Sequence, residues 1–199
     1  MKLDVIVIGS GGNGQTYFME FLERNGLKIN KLDDSDKLKH PCSPSKLDNL
    51  NITDKIIFIY NSPYESIQSH YRREWSFIQL KKLGNPYCFR ENQIDTIEKY
   101  NELVIKNKLD LFGIEYQFVN WFKLRSLFDI LFLDFNEVLE RKQVLNNFLK
   151  RELNYHIFKV DNRLCKKSNN MNIQKVYDNL YNFIKENSKK HLDEIIAKN

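Results

Sequence analysis

Cysteine is scarce in this chain. Cys42, Cys88 and Cys165 are the only three in 199 residues, an odd number and widely spaced. They form neither a zinc-ligand pattern nor a disulfide framework, so a reducing compartment is expected. Long apolar runs are missing as well: none approaches the roughly 18 residues that a membrane span needs. The N-terminus leads straight into a strand pattern, without the charged and apolar regions of a secretory signal. The expectation is a cytoplasmic protein. Glycine and proline number 7 and 4, and no internal repeat or low-complexity tract appears. Excess charge is weak at +5, with no polybasic stripe of interleaved aromatics, which argues against a nucleic-acid partner. Such a balance fits either a solvated mixed-charge surface or one that attracts phosphate or sulfate esters.

What the chain does have is apolar bulk. Hydrophobic residues make up 42%, including 14 Phe and 10 Tyr, enough for one globular domain over 1–199 with a sizeable core. Asp4 to Ile8 predicts a first strand, followed by a helix with Tyr17, Phe18, Phe21 and Leu22 on one face and a stop at Asn25-Gly26. Residues 27–32 alternate as a short strand does, and 33–54 form a turn-rich loop. Lys55 to Tyr60 and Ile130 to Leu133 are continuous apolar runs typical of buried parallel strands. Helices are predicted from Pro63 through Ile78, over 93–107, 115–128 and 136–150, and finally over 171–197. Strands alternating with helices predict an α/β fold with a mostly parallel sheet.

Chemistry concentrates in Gly9-Ser10-Gly11-Gly12-Asn13-Gly14-Gln15-Thr16, a glycine-rich turn between a strand and a helix. Such a turn aims backbone N–H groups and a helix N-terminus at an anion. Gly9, Gly11 and Gly14 satisfy the dinucleotide pattern G-x-G-x-x-G, with Asp33 or Asp34 spaced for the ribose hydroxyls. Gly9, Gly14 and Thr16 satisfy the nucleoside-triphosphate loop, except that Gln15 occupies the lysine position. Ile130 to Asp134 is the only candidate for an Asp-ended Mg²⁺ strand.

Four ordered blocks bear on the choice. After the glycine loop comes Lys55-Ile56-Ile57-Phe58-Ile59-Tyr60-Asn61-Ser62-Pro63, with Ser69 eight residues beyond Asn61. Phe112-Gly113-Ile114-Glu115-Tyr116-Gln117-Phe118-Val119-Asn120-Trp121 follows, and then Ile130 to Leu139. Together they resemble the sulfotransferases that use 3′-phosphoadenosine 5′-phosphosulfate (PAPS), over residues 4 to about 150. The resemblance implies a three-layer α/β/α architecture of the P-loop NTPase-like kind. It also implies sulfuryl transfer from PAPS to a hydroxyl of a carbohydrate or small-molecule acceptor, without a metal. The backbone of Gly11, Gly12, Asn13, Gly14, Gln15 and Thr16, with the Thr16 hydroxyl, would then hold the 5′-phosphosulfate. Asn61 and Ser69 would face the 3′-phosphate of PAPS or of its desulfated product PAP. Two family cations are replaced, by Gly12 in the loop and by Asn61 at the strand end. Arg72, Arg73, Lys166 and Lys167 are available substitutes, and Lys166-Lys167-Ser168 lies where the family carries a late basic segment. His40, in Leu38-Lys39-His40-Pro41, occupies the place of the family's general base, with His70 a weaker candidate. Glu65 is expected to cap or pair locally. Tyr71, Trp75, Trp121 and Phe122 are core or pocket-wall residues, some of which would stack on adenine. Two other outcomes stay open: a non-catalytic nucleotide-binding or interaction module of the same fold, and an NAD(P)- or FAD-binding protein.

Overall fold

Three short parallel strands carry the architecture of the computed structural model, which describes residues 2–44, 53, 55–159 and 170–198. They are β1 (Ile6–Ile8), β2 (Lys55–Tyr60) and β3 (Asp129–Asp134), in the order β1-β2-β3. Ile6 pairs with Ile56, and Ile56 in turn with Ile130. Alternate residues point to opposite faces, and both faces are buried. Ile6, Ile8, Ile56, Phe58, Ile130 and Phe132 join one apolar cluster, and Val7, Ile57, Ile59, Leu131 and Leu133 the other. A strand covered on both sides needs an unbroken apolar run, which is the pattern these segments carry.

Helices supply the two covers. On one face α1 (Gln15–Arg24) and α6 (Lys142–Leu149) contribute Phe18, Phe21, Leu22, Leu145 and Leu149. The other face packs α2 (Pro63–Arg72), α3 (Ser76–Lys82), α4 (Ile97–Asn107), α5 (Ile114–Lys123) and α7 (Met171–Lys198) through Ile67, Leu80, Tyr100, Phe118, Trp121, Tyr177 and Ile184. The result is an α/β architecture with helices on both faces of a small parallel sheet. Among the described residues no helix is long and apolar enough to cross a membrane.

Several expected elements differ; the helices expected over 93–107 and 115–128 run over Ile97–Asn107 and Ile114–Lys123. Residues 27–32 make no strand, although they run along the free edge of β1. Asp4 N–H donates to Lys28 O at 2.8 Å, and further along a side chain replaces the ladder. Asn30 Oδ1 accepts from Val7 N–H (2.8 Å) while its Nδ2 donates to Val7 O (3.1 Å). The Asn30 amide thus satisfies a backbone edge that a further strand would otherwise pair.

The predicted helix from Pro63 to Ile78 is broken in two. At the end of α2, Trp75 N–H reaches His70 O (3.0 Å) and Glu74 N–H reaches Tyr71 O (3.0 Å), with Glu74 at φ +59°. This is the reversal that a left-handed residue after a helix produces. Periodicity could not show it, because glycine, the usual residue there, is replaced by Glu74. Trp75 and Ile78, which continue the helical spacing of Tyr64, Ile67 and Tyr71 in the sequence, are 56% and 58% exposed. The helix expected over 136–150 likewise starts late, after a single 3₁₀ turn at Phe135–Glu137.

Strand order places the site. The 27–30 segment lies on one side of β1 and β2 on the other, so the chain leaves β1 and β2 in opposite directions. In open α/β sheets the ligand crevice forms outside the carboxyl ends of the strands at such a switch point. Here those ends are the glycine loop and Asn61-Ser62.

Candidate functional site at the glycine loop

Gly11, Gly12 and Gly14 have φ of +75°, +69° and +81°, a region other residues enter only with strain. Space forbids side chains as well. A Cβ on Gly12 would stand 2.6 Å from Ser66 O on α2, and one on Gly14 2.6 Å from the Phe135 ring. These glycines therefore let the loop lie directly against α2 and the end of β3.

Side chains from four directions brace it. Asn13 Nδ2 donates to Ile59 O (2.9 Å), and Asn13 Oδ1 receives Gln15 N–H (3.2 Å). Gln15 Nε2 donates to Val7 O (3.1 Å) and Lys39 O (2.9 Å). Both amide side chains turn into the protein. The Gly9 carbonyl lies 2.8 Å from His40 Nδ1 and 3.4 Å from Gln117 Nε2; the Ser10 carbonyl lies 3.1 Å from His70 Nε2 and 2.8 Å from Gln79 Nε2. Across a trans peptide the N–H points opposite to the carbonyl. Anchoring these two carbonyls therefore turns the Ser10 and Gly11 amides the other way. The amides of residues 11–14 and of Thr16 meet no acceptor among the described residues, and they surround the N-terminus of α1.

A buried cation lies beside the loop. Lys39 is only 6% exposed, and its ammonium donates to Thr16 Oγ1 (2.8 Å) and Leu32 O (2.7 Å). Burial lowers its pKa below the ordinary lysine range, Asp34 opposes that shift, and Lys82 and Arg73 add to it by repulsion. Asp34 is fully engaged: it takes Lys39 N–H on Oδ1 (2.9 Å) and the Lys82 ammonium on Oδ2 (2.5 Å). A buried ammonium, the Lys82 cation on Asp34 and a helix N-terminus therefore meet at one corner.

Two imidazoles flank Gly11. A Cβ there would lie 2.9 Å from His40 Cε1 and 3.0 Å from His70 Cε1. Desolvation lowers both pKa values to about 4, so each ring is neutral at pH 7. With Nδ1 donating to Gly9 O, His40 keeps a lone pair on Nε2, the atom a base would use. His70 is 2% exposed, lies parallel to Phe112 at 5.7 Å, and leaves Nδ1 without a partner among the described residues. Helix α5 fixes the His40 segment: Gln117 Nε2 and Trp121 Nε1 both donate to Pro41 O at 3.0 Å, and Asn120 Nδ2 donates to Cys42 O at 3.2 Å.

The remaining expected residues fall as follows. Asn61 follows the end of β2, and its Oδ1 accepts from Ser62 N–H and from Asn136 Nδ2, each at 2.7 Å. Ser69 is half-buried on α2, next to the Ser66–His70 line that touches the loop. Lys166 and Lys167 lie outside the described residues. Asp134 is buried at the end of β3, accepting from Tyr181 Oη (2.5 Å) and Asn136 N–H (2.9 Å), with Lys185 Nζ at 3.5 Å. It anchors α7 to the sheet. A separate cleft of about 690 Å³ opens between α4, the start of α5 and α7, lined by Val104, Leu109, Lys175, Leu180 and Phe183 among others.

Lys39 is the residue that motif spacing missed. Loop motifs specify a cation within the loop, whereas this one reaches Thr16 from 23 positions away. The one available signal was the acidic pair Asp33-Asp34 before it. Comparison with protein-family models and with curated proteins gives no match to this chain.

Proposed function

We propose that the glycine loop binds the phosphosulfate end of a PAPS-type nucleotide, and that the protein is a sulfotransferase-like enzyme of the P-loop type acting on a hydroxyl acceptor. The observation that carries this reading is the Lys39 ammonium on Thr16 at the N-terminus of α1. It returns to the anion cradle the charge that Gly12 and Gln15 lack. The fit is good at this end of the nucleotide, with unpaired amides at 11–14 and 16, the Thr16 hydroxyl and the Lys39 charge. Asn61 brings no charge to the 3′-phosphate, so Ser69, Arg72 and Arg73 are the candidate partners among the described residues, with Lys166 and Lys167 outside them. When bound, PAPS supplies an activated sulfuryl group. The chain's part is to hold that group against the loop and to accept the acceptor's hydroxyl proton at His40 Nε2. A neutral imidazole is in the right state for this role, and an anion beside it would raise its low pKa toward the useful range.

Calorimetric titration with PAP tests the cofactor, and transfer of labelled sulfate from PAPS to a panel of hydroxyl compounds tests the chemistry. Absence of PAP binding at millimolar concentration would sink the proposal. Binding without transfer to any acceptor would leave the non-catalytic module. A dinucleotide reading draws on one observation, the doubly wound placement of 27–30, β1 and β2. Against it, Asp34 is committed to the Lys82 ammonium and the Lys39 amide, so the ribose would fall to Asp33, whose Oδ1 already takes Ser35 N–H (3.0 Å). Titration with NADH in the same calorimeter separates the two.

A further inference from the structure

Four aromatic residues were candidates for stacking on a base, and their surroundings divide them. Trp121 is fully buried with Nε1 on Pro41 O, Tyr71 Oη donates to Ile94 O (2.9 Å), and Phe122 packs on Phe118 and Phe132. Trp75 alone presents most of its surface to solvent. It sits in the elbow between α2 and α3, held by its own N–H on His70 O and by the positive φ of Glu74.

The elbow is tied to the glycine loop. Gln79 lies four residues after Trp75, its N–H bonds Trp75 O (2.9 Å), and its side chain holds Ser10 O. Trp75 therefore stands about one helical turn, roughly 6 Å, from the residue that braces the loop. The Arg73 guanidinium lies over the indole at 5.3 Å, and its Nε donates to Ser69 O (3.0 Å). One ring face thus meets a cation held on α2, the helix that Gly12 touches through Ser66 O. An exposed indole so placed suits a flat aromatic group joined to a phosphate, which is the shape of a nucleotide.

We infer that Trp75, with Arg73 behind it, is the platform on which the nucleobase of the bound nucleotide stacks. This rests on the nucleotide reading above. Trp75 and Trp121 are the only two tryptophans, and only Trp75 is exposed, so intrinsic fluorescence reports the platform directly. PAP is expected to quench the exposed component, and inorganic pyrophosphate is expected to bind without doing so. Trp75→Ala should weaken PAP about 5- to 150-fold, the range that base stacking on an aromatic spans, while pyrophosphate affinity stays within about twofold. Trp75→Phe should retain most of the PAP affinity.

If PAP binds Trp75→Ala as tightly as the parent in calorimetry, the platform is wrong and the nucleotide reading survives. Equal losses for PAP and pyrophosphate would also overturn it, because Trp75 would then act on the loop rather than on the base. Failure of PAP to bind the parent protein removes both. Circular dichroism of the folded variants excludes a global effect.

Discussion

Replacing Lys39 by methionine separates an anion site from a mere structural brace. Methionine keeps an unbranched stem of similar reach and removes the charge. In the folded protein two hydrogen bonds go, to Thr16 Oγ1 at 2.8 Å and Leu32 O at 2.7 Å. Each such charge-assisted bond is worth about 1.5–3 kcal/mol. Opposing that loss, the substitution ends the burial of an ammonium and its repulsion by Lys82 and Arg73. Thr16 is exposed and Leu32 half-buried, so water reaches both orphaned oxygens. The net change in stability should stay within about 2 kcal/mol. Binding has no such compensation. An anion at the loop loses one charge-assisted partner, about 1.5–3 kcal/mol, or roughly 12- to 160-fold in affinity. Calorimetry with PAP and with inorganic sulfate, beside urea unfolding of the same samples, measures both terms. Lys39→Met that stays folded and binds each anion within about twofold of the parent would refute the role assigned to Lys39.

Stability should also fall in acid through His40 and His70. Their folded pKa values near 4 lie below the ordinary 6.5, so above pH 6.5 neither state is protonated and neither imidazole matters. Between about 6.5 and 4 the unfolded chain binds protons that the folded chain does not, and each site removes about 3 kcal/mol. Urea titrations across this range should show the fall, and His70→Gln should roughly halve it. Gly12→Ala combines a positive φ with a 2.6 Å approach to Ser66 O and should cost about 2–5 kcal/mol. Gly26→Ala, with a similar φ but only the flexible Arg151 side chain nearby, should cost about 1 kcal/mol. Asn30→Leu leaves Val7 N–H buried and unpaired, while Val7 O keeps Gln15 Nε2; thermal and urea unfolding should register a loss of about 1–3 kcal/mol.

The sheet was legible because a parallel strand covered on both faces leaves an unmistakable apolar run. Lys55 to Tyr60 and Ile130 to Leu133 carry that run, and α1, α5 and α7 carry clear 3.6-residue stripes. The break in the 63–78 segment was not legible. Tyr64, Ile67, Tyr71, Trp75 and Ile78 keep helical spacing through a reversal that hydrogen bonds to His70 O and Tyr71 O impose, and Glu74 gives no warning of a left-handed turn. The 27–32 segment misled for the opposite reason: its alternation is genuine and its place beside β1 is right. Asn30 closes the edge with its side chain, so the backbone need not pair.

The glycine loop shows why a motif read alone is ambiguous. Gly11, Gly12 and Gly14 are required by positive φ, Gly12 and Gly14 also by close approach to Ser66 O and Phe135, and such backbone requirements are shared by several kinds of glycine loop. What distinguishes such loops is the charge around them, and here that charge is borne by residues remote in sequence. Lys39 arrives from the segment that α5 clamps through Pro41 O and Cys42 O, Lys82 from the end of α3, and Arg73 from the elbow after α2. Gln15, standing at the position of a loop lysine, spends its amide on Val7 O and Lys39 O, and so holds in place the backbone of the residue that supplies the cation. Under the proposed anion site, Lys39 would supply the charge absent from the loop, and Gln15 holds the backbone of that lysine in place.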